Sequence, residues 1–240
     1  MPAPLPSKAQ IVVTGGSRGI GAAIVAELAR RGRAVVSLSR SGAAPAGRGV
    51  ACDVTDEAAV RAALAAIARE APIGGLVNNA GLHIATAAAA LPTAELEQVL
   101  RVNATAVFVL AREAHPHLRA HGGGLIVNIG SFFDKMGVPN HLAYCASKAA
   151  VGAVTRCLAV EWAADGIAVL NVAPGYIATD LNVDFLAQEK TQRWVRQRIP
   201  VGRVGQPEEV ARLVACLFDE SIPFLTGETL YLDGGQGMNH

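Results

Sequence analysis

Short apolar runs alternate along the chain with longer stretches of helical period, and that alternation lays out most of the elements. Gln10–Thr14 reads as a strand that closes at Gly15-Gly16. From Gly19 to Arg31 the apolar residues Ile20, Ile24 and Leu28 recur at every fourth position, the stripe of a helix lying on a sheet. The β-branched run Ala34–Ser39 and the short run Gly49–Cys52 predict two further strands. Asp56–Glu70 is Ala-rich and helical, with Thr55 as the expected N-cap, and Gly75–Asn78 predicts a strand. Behind Pro92, Thr93–Ala120 predicts one or two helices. Leu125–Ile129 predicts a strand, Leu142–Ala164 a long helix, and Ile167–Val172 a strand stopped by Pro174-Gly175. A polar segment from Thr179 to Arg203 shows no period and is expected to be irregular. Pro207–Phe218 predicts a helix opened by proline, and Glu228–Leu232 a last strand.

Strands that are apolar on both faces and separated by helices are what a parallel sheet covered on both sides requires. Each connection is long enough for a right-handed βαβ unit. The expected architecture is α/β, a single doubly wound (Rossmann) domain of about seven strands over residues 9–240, behind a flexible segment 1–8. The composition agrees: 51% of the 240 residues are hydrophobic and 17% charged, ample for a core and wrong for a disordered chain. Lys and Arg total 21 against 20 Asp and Glu, so no basic surplus points to a nucleic acid. No apolar run reaches the ~18 residues of a membrane span, and Met1–Ser7 lacks the apolar core of a signal peptide. Cys52, Cys145, Cys157 and Cys216 form no pair of metal or disulfide spacing and read as small buried hydrophobes in a reducing compartment. A cytoplasmic location is expected.

The first strand-to-helix turn carries the first chemical signal. Thr14-Gly15-Gly16-Ser17-Arg18-Gly19-Ile20-Gly21 follows a strand and opens a helix. In this context glycines allow a tight reversal and close approach of a diphosphate, and the helix start offers free N–H groups and partial positive charge. A dinucleotide is expected, with Gly15, Ser17, Arg18, Gly19, Ile20 and Gly21 around it. NAD sites commonly carry an acid at the end of the second strand, about 20 residues on. Here Ser39-Arg40-Ser41 stands there, and Arg40, helped by Arg18, suits the 2′-phosphate of NADP(H); NAD(H) stays open as the alternative. Asp53, beside Val54, follows the third strand and can accept from the adenine amino group, and Asn78-Asn79-Ala80-Gly81 follows the fourth at the same sheet edge.

Tyr144 and Lys148 stand at i and i+4 on one helix face. Lowering a phenol by two to three pKa units takes roughly 3–4 kcal/mol of anion stabilisation, within reach of a nearby lysine and a positive nicotinamide. Ser131 ends the preceding strand, where its hydroxyl can donate to a carbonyl oxygen as it becomes an alkoxide. Asn103, among Val102, Ala104 and Val107, is a polar group that needs a reason.

Taken in this order and spacing, these motifs, with Thr179 and the C-terminal Asp233-Gly234-Gly235, resemble the short-chain dehydrogenase/reductase family across nearly the whole chain. The resemblance implies that Tyr144 is the general acid of carbonyl reduction and the base of alcohol oxidation. It implies that Lys148 binds the nicotinamide ribose and lowers the phenol, that Ser131 orients the carbonyl, and that Asn103 holds a proton-relaying water. Pro174, Gly175, Ile177 and Thr179 would lie at the nicotinamide end, and a homotetramer is implied. No metal is expected: His115, His117 and His121 are interrupted by a proline, and no carboxylate partner stands out.

Within the family the 3-oxoacyl-(acyl-carrier-protein) reductase type is nearest in feel, on Ile129-Gly130-Ser131 and on Val204–Val210. Where that type often carries arginines that dock an acidic carrier, this chain has Gly122 and Asp165. The expected reaction interconverts a ketone, such as a 3-oxoacyl thioester or keto ester, and a secondary alcohol. Its substrate walls would come from His83, Ile84, Phe132, Phe133 and His141, and from a lid at about 180–203 with Phe185, Leu186 and Trp194. The rival readings are an NAD(H)-linked alcohol or sugar dehydrogenase, a non-catalytic nucleotide sensor, and a methyltransferase. The last two have no need of Tyr144 and Lys148.

Overall fold

The structure, a computed structural model, describes residues 9–179, 183–220, 222 and 224–238. Residues 1–8 and the first residues of the expected lid, 180–182, lie outside the described residues. Seven strands, β1 (Gln10–Thr14), β2 (Ala34–Ser39), β3 (Arg48–Ala51), β4 (Ile73–Asn78), β5 (Gly124–Ile129), β6 (Ile167–Pro174) and β7 (Thr229–Leu232), form one sheet in the order β3-β2-β1-β4-β5-β6-β7. Every adjacent pair is parallel. The helices are α1 (Gly19–Arg30), α2 (Glu57–Glu70), α3 (Thr93–Leu100), α4 (Ala106–Ala120), α5 (Leu142–Trp162), α6 (Val183–Ala187), α7 (Glu189–Arg198) and α8 (Pro207–Glu220). This is the doubly wound Rossmann architecture the alternation predicts.

Along β1 successive side chains enter opposite layers, because strand side chains alternate in direction. Val12 joins Leu64, Leu76, Leu110 and Ile126 under α2, α4 and α5, while Ile11 and Val13 join Ile24, Leu28, Val214 and Phe218 under α1 and α8. A sheet buried on both faces exposes only its ends. The chain winds outward from β1 in both directions, so the carboxyl ends of β1 and β4 diverge and leave a crevice between their loops.

Several expectations need correction. Asp56, not Thr55, caps α2: its carboxylate accepts from the Ala59 N–H at 3.0 Å, while the Thr55 hydroxyl donates to Asp53 at 2.8 Å. The segment expected to be irregular contains α6 and α7; in α7, Thr191 and Val195, four apart, are buried, and Glu189 pairs with Arg193. Between α3 and α4 the helix does not break but widens into a π turn over Arg101–Thr105, and α4 runs on through Pro116. All four cysteines are free, but only Cys52 is buried; Cys157 and Cys216 lie on exposed faces of α5 and α8. His115 does have a carboxylate partner, since its Nε2 lies 2.8 Å from Asp165 Oδ2, and Arg119 pairs with the same carboxylate. Among the described residues no group of three His, Cys, Asp or Glu is arranged to hold a metal, and no helix is long and apolar enough to cross a membrane.

Candidate active site

The crevice opens into a cavity of about 1560 Å³. Its floor is the glycine turn. Gly15 has φ +66°, and a Cβ there would stand 2.9 Å from Ala80 Cα. At Gly21 a Cβ would come within 2.3 Å of the Gly15 carbonyl oxygen, so only glycine lets α1 start this close to β1. The Thr14 hydroxyl accepts from the N–H groups of Asn79 and Ala80, at 3.0 and 3.1 Å. Asn79 returns the contact, its Nδ2 donating to the carbonyls of Thr14 and Gly15 at 2.9 and 3.2 Å. Asn79 thus clamps two loops together while itself lining the cavity.

Arg18 is the N-cap of α1 and makes no side-chain capping bond, leaving the first amides of the helix uncapped by a side chain at the cavity wall. Ser17, Arg18, Gly19, Ile20, Ser39, Arg40, Asp53, Val54 and Thr55 form this end of the cavity. Neither Arg18 nor Arg40 makes a side-chain hydrogen bond or ion pair among the described residues. Hydrogen bonds from the Thr55 amide and hydroxyl, with the nearby Arg40 charge, hold the Asp53 carboxyl below its ordinary range. Thr179 lies over the turn, its Cγ2 3.8 Å from where a Gly19 Cβ would stand. An uncapped helix start and two guanidinium groups fit a dinucleotide carrying a diphosphate and a further phosphate.

At the other end the walls are Gly81, His83, Ser131, Phe132, Phe133, His141, Tyr144, Lys148, Pro174, Gly175, Tyr176, Ile177 and Leu186. Ser131 caps the short 3-10 turn Phe132–Lys135, its Oγ accepting from the Phe133 N–H at 3.2 Å. The Ser131 side chain also bonds Tyr144. Burial nevertheless dominates and pushes the Tyr144 phenol up to about 12, the Ser131 bond pulling the other way. Lys148 is buried, its Nζ donating to the Ile129 carbonyl at 2.8 Å and lying 5.6 Å from the Tyr144 ring centre. Desolvation pushes its ammonium down to about 8. Without the positive charge a bound nicotinamide would add, burial thus favours the protonated phenol.

Asn103 does not line the cavity. From the π turn its Nδ2 donates to the Leu82 carbonyl at 2.8 Å and to Ser147 Oγ at 3.0 Å, and its Oδ1 accepts from the Leu82 N–H at 2.7 Å. Ser147 Oγ donates in turn to the Tyr144 carbonyl at 2.7 Å. Asn103 therefore ties the loop after Gly81 to the helix that carries Tyr144 and Lys148. Ile84 is likewise absent from the cavity wall, and Trp194 stands behind Tyr176, ring centres 5.1 Å apart. The side chain of Phe185 lies outside the described residues. Sequence reading missed Tyr176, Val102 and Arg101 on the wall. The aromatic directly after Pro174-Gly175 was the available signal for Tyr176; nothing in the pattern marks the other two.

The family model described as enoyl-(acyl carrier protein) reductase matches residues 15–237. The 3-oxoacyl-(acyl-carrier-protein) reductase MabA of Mycobacterium tuberculosis is 38% identical over 232 residues, 96% of this chain and 93% of that protein. Gluconate 5-dehydrogenase of Gluconobacter oxydans is 34% identical over 242 residues, 95% of this chain and 94% of that one. Among solved structures, a gluconate 5-dehydrogenase from Burkholderia cenocepacia in complex with NADP and tartrate aligns with a TM-score of 0.90 at 32% identity, over 97% of this chain and 96% of that chain. Likeness of this extent, joined to a crevice that runs from the glycine turn to a Ser–Tyr–Lys cluster, makes the chain a member of the short-chain dehydrogenase/reductase family and an NAD(P)-dependent oxidoreductase.

Proposed function

We propose that the protein is an NADP(H)-dependent ketone reductase, of the keto-ester or 3-oxoacyl-thioester type, that also runs in the alcohol-oxidising direction. A nicotinamide dinucleotide held by the glycine turn and Arg40 would supply the hydride and, once oxidised, a positive charge. Ser131 Oγ orients the carbonyl oxygen, and the Tyr144 hydroxyl gives that oxygen its proton as it gains alkoxide character. Lys148, anchored on the Ile129 carbonyl, holds a positive charge behind the phenolate that remains. Asn103 acts as a positioning residue between the Leu82 loop and α5. Arg40 supports NADP(H) over NAD(H), because it stands where an acid would otherwise meet a ribose hydroxyl. A homotetramer is our reading of the assembly, supported by exposed Phe108 on α4 and Val160 on α5; light scattering tests it.

The observation that carries the reading is the convergence of Ser131, Tyr144 and Lys148 on one end of the cavity whose other end holds Arg18 and Arg40. Tyr144→Phe tests it. Carbonyl-dependent NADPH oxidation should fall at least a hundredfold while NADPH still binds; retention of most of the activity would overturn the acid–base role.

A further inference from the structure

Six aromatic side chains crowd the Tyr144 end of the cavity. His83 stacks on His141, centres 4.9 Å apart and planes at 21°, and meets the Tyr144 ring edge-on at 4.7 Å. Phe133 stands edge-on to His141 at 5.6 Å and to Tyr144 and Tyr176 at 6.0 Å, and Phe132 meets Tyr176 at 5.5 Å. These six side chains form one continuous wall, and all of them line the cavity. Apart from Lys148, the charged side chains of the cavity come from elsewhere: Arg18 from the glycine turn, Arg40 and Asp53 from the ends of β2 and β3, Glu97 and Arg101 from α3 and its π turn.

Ring faces and edges attract flat hydrocarbon and conjugated groups at centre separations of this order. A polyhydroxylated chain set against them would lose water from its hydroxyls over the carbon faces of the rings and regain partners only at the few ring nitrogens and phenol hydroxyls. Partial burial and the neighbouring His141 also hold His83 below its ordinary pKa, so at neutral pH the wall presents an imidazole without the charge that would draw a carboxylate. His83 is the ring nearest to Tyr144, 4.7 Å against 6.0 Å for Phe133, and it makes no hydrogen bond among the described residues.

We propose that this wall selects an uncharged ketone with a flat ring beside its carbonyl, and that His83 is the specificity-determining residue. The proposal rests on the reductase reading above and narrows it. It runs against sugar acids, the substrate class in the names of several relatives.

Steady-state kinetics with NADPH on a matched set tests it: ethyl benzoylacetate, ethyl acetoacetate (methyl in place of phenyl) and 5-ketogluconate. The phenyl compound should show a KM at least tenfold below that of its methyl counterpart, and 5-ketogluconate should be the poorest substrate. His83→Ala should raise KM for ethyl benzoylacetate about five- to tenfold and that for ethyl acetoacetate less than twofold, and His83→Phe should restore it. NADPH affinity, read by fluorescence titration, should stay within twofold in both variants. Equal KM values for the matched pair, or preference for 5-ketogluconate, would overturn the ring-flanked substrate and leave the reductase reading standing. A His83→Ala effect of the same size on both esters would overturn the role of His83. Oxidation of NADPH by none of the three would instead sink the reductase reading and this proposal with it.

Discussion

Asn78 of β4 and Asn128 of β5 stand opposite each other in register, and the Nδ2 of the first donates to the Oδ1 of the second at 2.9 Å, both sealed from solvent. Asn128 passes the contact to Thr155 of α5 at 2.9 Å, and Asn171 of β6, next in the same row, donates to Thr229 of β7 at 3.2 Å. The row lies one residue before Ile129, whose carbonyl holds Lys148, so it fixes the strand ends that carry the site.

Asn128→Ala is expected to destabilise the protein by about 2–3 kcal/mol, because it leaves the buried Asn78 amide only its long 3.4 Å contact to the Val107 carbonyl and empties the space beside Thr155. Urea denaturation checks the figure. Nucleotide binding, which depends on the other side of the crevice, should persist in the folded fraction.

Lys148→Met should abolish turnover and at the same time raise stability at pH 7. The folded lysine titrates near 8 against 10.5 when solvated, so burial of its cation opposes folding at every pH below 8. Between those values the unfolded chain binds more protons, and stability from this group rises with pH by up to about 3 kcal/mol. The variant's advantage in thermal unfolding should therefore be largest at pH 7 and shrink toward pH 10.5. An advantage that does not change with pH would mean that packing, not charge, is responsible.

Arg40→Asp is expected to weaken NADPH binding about a hundredfold, through loss of a charge-assisted contact and gain of a repulsive one, while NADH binding holds or improves. Isothermal titration with both nucleotides reads the switch. Parallel weakening of both would place Arg40 against a phosphate common to the two.

The alternation of apolar runs made the sheet legible because strands buried on both faces have no polar face to blur them, and β1 and β2 begin and end where the pattern puts them. The glycine turn and the Tyr144–Lys148 pair were legible for a related reason: their spacing is itself the geometry. What escaped was whatever depends on partners far along the chain. The Thr55 hydroxyl is drawn to Asp53, which moves the cap of α2 by one residue. Asn103 reads as a lone polar residue until Leu82 and Ser147 arrive beside it. The helices α6 and α7 were hidden because α7 buries only a narrow apolar strip beneath a strongly charged surface.

The widened turn at Arg101–Thr105 carries one residue more than a regular helix needs. Removing a single residue there would let the stretch close into a regular helix with the flanking turns nearly in phase, because the π turn already absorbs the extra residue. The helix on either side would keep its face toward the cavity, and what would be lost is the bulge from which Asn103 reaches Leu82 and Ser147. For this stretch the number of residues matters as well as the identity of Asn103. An engineered library should keep Asn103 and the length of the stretch and vary its exposed neighbours.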